Sequence, residues 1–254
     1  MIQTRPLMRA SALAACLLAC ALPAANALAF GWGGDRVEGN GHITRQSHEL
    51  GHFSALATSI GGNVEVRIGD SESITIETDD NLQPLIEAVV DNGTLRIRPQ
   101  KKDLQLDTRT LRIVVQAKGL ERIAVGGAGS VDAAHLRGRK LDFDIGGSGS
   151  IDARDLQSDV VAIALGGSGN LKAGGRTDRL QVSIGGSGKV QAGQLAAHDV
   201  TVSIGGSGQA TVNALQTLHV SVAGSGDVGY YGNPQVAKTV MGSGAVKHLD
   251  GAPM

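Results

Sequence analysis

Aromatic side chains are nearly absent from this 254-residue chain, which has three Phe, two Tyr and one Trp. That leaves few rings to fill a core and almost none to give a neutral sugar a stacking platform. Cysteine is as scarce. Cys16 and Cys20 both lie in the first twenty residues, so the body of the chain has no disulfides or thiolate metal ligands and must be held by packing. Six prolines exclude a proline-rich linker, and 41% hydrophobic content excludes a disordered glycine tract despite the 37 glycines. An excess of one charge is missing too: 23 basic and 24 acidic residues give a net −1 with no basic patch. This argues against nucleic acid and against electrostatic membrane binding. After residue 30 no apolar run approaches membrane-spanning length, and no helix-period segment occurs over 110–250.

What is present begins with a targeting segment. Arg5 and Arg9 precede the apolar run ASALAACLLACAL (10–22), Pro23 breaks it, and ANA (25–27) or ALA (27–29) offers small residues for cleavage. The pattern predicts a secretory signal peptide over 1–29, cleaved after Ala27 or Ala29. The competing reading is a lipoprotein acylated at Cys20 or Cys16. Against it, Leu18 stands two places before Cys20, and the apolar run before Cys16 is short. Cleavage removes both cysteines and leaves 21 basic against 24 acidic residues, a net −3.

The dominant feature is a repeat. Gly-Gly-Ser-Gly or a variant recurs around Gly127, Gly147, Gly167, Gly186, Gly206, Gly224 and Gly242, at intervals of 20, 20, 19, 20, 18 and 18 residues. The last two copies are degraded to AGSGD (223–227) and MGSGA (241–245). The flanks alternate with period two, as in Leu141-Phe143-Ile145, Val161-Ile163-Leu165 and Val200-Val202-Ile204. Alternation with one apolar face marks half-buried strands. A second short strand follows each glycine group, starting at Ile151, Leu171 or Val190. One such unit cannot bury its own apolar face, so copies must stack. The predicted fold is all-β: a β-solenoid, a right-handed parallel β-helix with turns of about 20 residues cornered by GGSG. The corner glycines are expected to serve positive φ and close stacking, and Ser148, Ser168, Ser187, Ser207, Ser225 and Ser243 to form a hydroxyl ladder.

Chemical readings of the glycines fail on spacing. GGSGKV (185–190) lacks the Lys-[Ser/Thr] pair and the helix of a phosphate loop. Calcium-binding GGxGxD repeats recur every nine residues, whereas here the period is 20 and Asp152 falls one place late.

The N-terminal half is less regular. Val64-Val66-Ile68, Ile74-Ile76 and Leu95-Ile97 alternate around turns at GDSES (69–73) and DNG (91–93), and Pro84 limits DDNLQPLIEAV (79–89) to a brief helix or loop. IGGNVEV (60–66) echoes IGGSGKV, which suggests an irregular start that covers one end of the solenoid. The organisation expected is a signal peptide at 1–29, a flexible lead at 30–44, one domain at 45–250 and a tail at 251–254. Within the domain, 45–118 is the irregular start and 119–248 the regular repeats.

Two constellations carry an enzymatic alternative. HELGH (48–52) matches the zinc-protease pattern, with His48 and His52 as ligands and Glu49 as general base. Its context argues against it, because Gly51 interrupts the helix that the motif needs and no third His follows at the required spacing. Asp142 and Asp144 form an outward pair of the kind that polysaccharide-acting β-helices use. Their column continues as Ala164, Ser183, Ser203 and Ser221, with no basic or aromatic partner expected. His42, His135, His198, His219 and His248 show no ligand spacing. No catalytic, cofactor or metal residues are therefore assigned. A flat Ser/Thr/Ala-rich face suits contact with another extended surface.

RQSHELGHFSALATSIGGNVEVRIGDSESITIETDDNLQPLIEAVVDNGTLRIR (45–98), followed by spaced GGSG strands, is similar to the bacterial family of auto-transporter adhesin head GIN domains. The similarity runs from about residue 45 to 248 and rests on Phe53 with Val64-Glu-Val, on NGTLRIR (92–98) and on the repeats. It implies an exported β-helical domain of the cell envelope without established catalytic residues. An autotransporter's C-terminal barrel is not expected here, since the sequence closes with KHLDGAPM after the last repeat. The function expected is a non-catalytic structural or binding module, periplasmic or on the cell surface. Its expected partner is an unidentified envelope protein or polysaccharide, with self-association through the solenoid ends as a further alternative.

Overall fold

The computed structural model describes residues 35–102 and 104–251; the signal-peptide segment lies outside them. Strands supply nearly all the regular structure, and the only helical element among the described residues is the 3-10 turn Gln83–Leu85. The brief turn expected around Pro84 is thus present. Strands already occur within the 30–44 segment, of which residues 35–44 are described. Arg36–Glu38 pairs in parallel with Gln105–Asp107, and Ile43–Glu49 already pairs antiparallel with Ser73–Asp79.

The repeats form a β-solenoid of parallel ladders. One ladder joins Arg122–Val125 to Arg137–Ile145 and continues into Ser150–Leu165, Asn170–Ile184, Lys189–Ile204 and Gln209–Gly224. Register places Leu95, Leu56, Ile123, Phe143, Ile163, Val182, Val202 and Val220 in one inward column. All eight are buried. A second column runs through Ile113, Val64, Val131, Ile151, Leu171, Val190, Ala210 and Val228. Each inward aliphatic contributes about 1.5–3 kcal/mol on burial, so the columns can hold a chain that lacks disulfides in its body.

The chain does not enter the stack at its end. Ala55–Thr58 and Asn63–Ile68 form a rung that pairs forward with Arg122–Val125 and Ser130–Ala134. The same rung pairs backward with Thr94–Pro99 and Arg112–Ala117. IGGNVEV therefore is a turn of the same solenoid, as its echo of the repeats suggests. Beyond it the sheet changes character. Ser73–Asp79 and Ile86–Asp91 add antiparallel strands, and Ile43–Glu49 forms an outer edge.

Backbone proximity explains the corners, and φ explains only a few of them. Positive φ occurs at Gly62, Gly224 and Gly242, but not at Gly127, Gly147, Gly167, Gly186 or Gly206. At those five a Cβ would strike a carbonyl oxygen of the rung below: Ser59 under Gly127, Gly127 under Gly147, Gly147 under Gly167. Identical corners stacked at strand spacing of about 4.8 Å leave no room there. The first glycine of each group has space, and the degraded copies use it, with Ala223 and Met241 in that place. The expected hydroxyl ladder is replaced by a backbone one. Ser168 and Ser187 donate their N–H groups to Gly147 and Gly167 at 3.2 Å, while the side chains of Ser148, Ser168, Ser187 and Ser207 are exposed.

Candidate functional site

Alternation turns one residue in two of each long strand away from the core, and stacking converts these into a continuous outer face. On the first ladder the outward rows are Asp142, Ala162, Gln181, Thr201 and His219, and beside them Asp144, Ala164, Ser183, Ser203 and Ser221. The side chains are short and mostly exposed, so the surface is flat, with a shallow groove of about 500 Å³ along it. Its lower end is charged and its upper end neutral.

At the charged end, Arg122 lies in register with Asp142 and reaches Asp144 at 2.7 Å, while Lys140 donates to Asp142 at 2.9 Å. The expectation that this acid pair has no basic partner is corrected. Arg122 stands one rung below, in the strand that leads into the first glycine copy at Gly127, and Lys140 is two residues upstream on the same strand. Both carboxylates are engaged by cations, which disfavours their use as a free acid and base pair for glycan cleavage.

HELGH is not helical. His48 and Glu49 close strand Ile43–Glu49 opposite Ile74 and Ser73, so successive side chains leave on opposite faces. His52 lies beyond the strand, its Nδ1 2.7 Å from Glu72 Oε1. Imidazoles four residues apart share a face on a helix, and here the backbone is extended. Glu72 is held below the usual carboxylate range, chiefly by its hydrogen bond with His52. Among the described residues no three His, Asp or Glu side chains converge on a point suited to a metal ion. The other histidines are dispersed: His135 contacts Asp155 at 2.6 Å, His198 contacts Asp178 at 3.4 Å, and His248 Nε2 lies 2.9 Å from the Gly232 carbonyl.

Comparison with known proteins agrees with the ladder geometry. A family model described as "Putative auto-transporter adhesin, head GIN domain" matches residues 52–234. No curated protein matches the chain. A crystal structure of a "putative adhesin" from Bacteroides fragilis is similar at a TM-score of 0.78 and 23% identity, covering 84% of this chain and 100% of that one. A "putative lipid binding protein" from Parabacteroides distasonis is similar at 0.70 and 23%, covering 85% and 100%. A further "putative adhesin", from Parabacteroides merdae, is similar at 0.67 and 21%, covering 85% and 100%. At these identities the likeness establishes the solenoid fold.

Proposed function

Because the chain belongs to the auto-transporter adhesin head GIN family, we propose that it is an exported, non-catalytic binding module of the bacterial cell envelope. The flat outer face of the first ladder is its contact surface. The observation that carries this reading is that face itself: rows of exposed Ala, Ser, Thr and Gln at fixed strand spacing, with no free acid and base pair along it. Such a surface fits an extended partner, a protein strand or a polysaccharide, better than a small molecule in a pocket. Export is supported by Arg5 and Arg9 ahead of the 10–22 apolar run and by the small residues before position 30. On this reading 1–29 is removed and the domain over 45–250 acts in the periplasm or on the cell surface.

The test combines location and contact. Fractionation should recover the protein with the envelope, with an N-terminus after Ala27 or Ala29; an N-terminus at an acylated Cys20 would move the cleavage to the Ala19–Cys20 bond and assign the lipoprotein route. In sedimentation with isolated envelopes, Ser183→Lys with Ser203→Lys should abolish attachment while the fold is kept, since both serines are exposed. Undiminished attachment of that double variant would assign the contact elsewhere.

A further inference from the structure

The capped end of the solenoid carries a second, concave surface. Strands Ile43–Glu49, Ser73–Asp79, Arg112–Ala117 and Asn63–Ile68 lie side by side there. Ser47, Thr75 and Val114 stand in register across three of them, and all three are short. Long side chains flank this row: Arg45, Glu77 and Arg112 on one side, Gln116 and Arg67 on the other. Low floor and high flanks leave a trough of about 370 Å³.

The charges in the trough are fixed and unequal. Arg45 Nη2 donates to Glu77 Oε2 at 2.6 Å. Arg67 Nε and Arg112 Nη2 both donate to Glu65, each at 2.7 Å. Three guanidinium groups thus line the trough beside one lining carboxylate, Glu77, while Glu65 accepts from two of them and Glu49, on the same face as Arg45 and Ser47, stands outside the lining opposite Ser73. The two arginine hydrogen bonds hold Glu65 below the usual carboxylate range, so the arrangement persists into mildly acid solution. On the floor, Ser47 and Thr75 hydroxyls meet at 3.0 Å, and Ser73 donates to Gln116 at 3.2 Å.

We propose that this trough binds a carboxylate-bearing sugar, a hexuronate, either as the free acid or as a unit of an acidic polysaccharide. A lining of three arginines matches a carboxylate ligand, and arginine forks pair with carboxylates through two parallel hydrogen bonds. Val114 and the Thr75 methyl offer a small apolar floor for a sugar ring, while Gln116 and Ser73 offer partners for its hydroxyls. Three adjacent strands at about 4.8 Å span roughly 10 Å, the length of one or two sugar rings. Neutral sugars depend on aromatic stacking, which none of the residues lining the trough supplies. The inference rests on the reading of the chain as an envelope binding module and names a ligand class for a site distinct from the flat face.

The test is a calorimetric titration of the protein with tetragalacturonate, with free galacturonate and with a neutral galactose tetramer. The acidic sugars should bind, the neutral one should not, and binding should weaken as salt is raised. Equal affinity per unit for monomer and tetramer assigns the free acid; binding of the tetramer alone assigns the polysaccharide. Arg67→Gln with Arg112→Gln should lower the affinity roughly tenfold or more. Ser47→Trp, which fills the trough and keeps every arginine, should abolish binding with an unchanged melting curve. Absence of binding to either acid, equal binding of the neutral tetramer, or wild-type affinity in a folded Ser47→Trp protein would overturn the assignment. Ser183→Lys with Ser203→Lys leaves the trough intact, so failure of the flat-face reading is separable from failure here.

Discussion

Two glycines that look equivalent in the motif do different things. A Cβ at Gly166 finds the nearest atom, the Ile145 carbonyl oxygen, at 4.0 Å, whereas one at Gly167 would collide with the carbonyl of Gly147. Gly166→Ala should therefore change stability by no more than about 0.5 kcal/mol. Gly167→Ala must push two rungs apart and should cost about 1–3 kcal/mol or more. Urea unfolding of the two variants checks the difference, and equal midpoints would refute the stacking account. Asp79 poses a second residue-scale question. It is a buried carboxylate that accepts from the Gly41 N–H at 2.6 Å and the Thr108 hydroxyl at 2.5 Å, and a side chain at Gly39 would run into it. Asp79 thus ties the lead at 39–41 and the loop near Thr108 to the cap. The Thr108 hydrogen bond, helped by the Gly41 N–H, holds its carboxyl below the usual range. A carboxyl with a lowered folded-state pKa stabilises fully above its unfolded value of about 3.9 and loses that contribution as pH falls through the folded value. Thermal melts should therefore show Asp79→Ala less stable than the parent at pH 7, with the gap narrowing below about pH 4.

Strands with strict alternation could be read directly: Val161-Ile163-Leu165 and its relatives carry their face, their partners and their register in the 20-residue spacing. The cap could not. Ile43–Glu49 alternates weakly and lies as an antiparallel edge with Thr44, Gln46 and His48 beside Thr78, Ile76 and Ile74, a placement set by tertiary pairing rather than by period. The flat face was legible for the same reason as the core, because both follow from period two. Arg122 beside Asp144 was not, since the long Arg122 side chain reaches from the first copy to Asp144 of the next rung, two places along from its register partner Asp142, and period two does not report such a diagonal contact. The far end shows what an element needs once repetition stops. Strand Gln235–Gly242 is exposed throughout, and register continues the column Val182, Val202, Val220 into Lys238. Its neighbours Val236 and Val240 extend Leu218 and Val222 but remain 40% and 37% exposed. An edge strand with apolar residues invites pairing with another chain, and a charge set among them opposes it. Lys238→Val should therefore make the sedimentation coefficient rise more steeply with concentration than that of the parent in sedimentation velocity. An unchanged sedimentation coefficient would remove the guarding role of Lys238.

At the scale of the whole molecule, the order in which the chain visits its rungs sets what can be removed. The rung of Ala55–Thr58 and Asn63–Ile68 is held between Thr94–Pro99 with Arg112–Ala117 and Arg122–Val125 with Ser130–Ala134. Residues before 70 thus pair with residues beyond 120, and the cap and the first regular turns form as one unit with long loops to close. Among the described residues the opposite end has no such interlock: Gln235–Gly242 and Ala245–His248 pair only with the rung preceding them. In a stack whose members contact only neighbours, opening begins where one neighbour is missing. Native-state hydrogen exchange should show amides of 235–248 exchanging faster than those of 161–204, with the cap strands that flank the threaded rung, 94–99 and 112–117, near the slow group. Deletion of 235–254 should leave a folded protein of reduced stability, whereas deletion through residue 118 strips one face from Ile123 and Val131 and should give an aggregate. Rapid exchange in the cap together with a soluble, folded fragment starting at 119 would mean that the regular turns stand alone and that the threaded rung is an ornament of the fold.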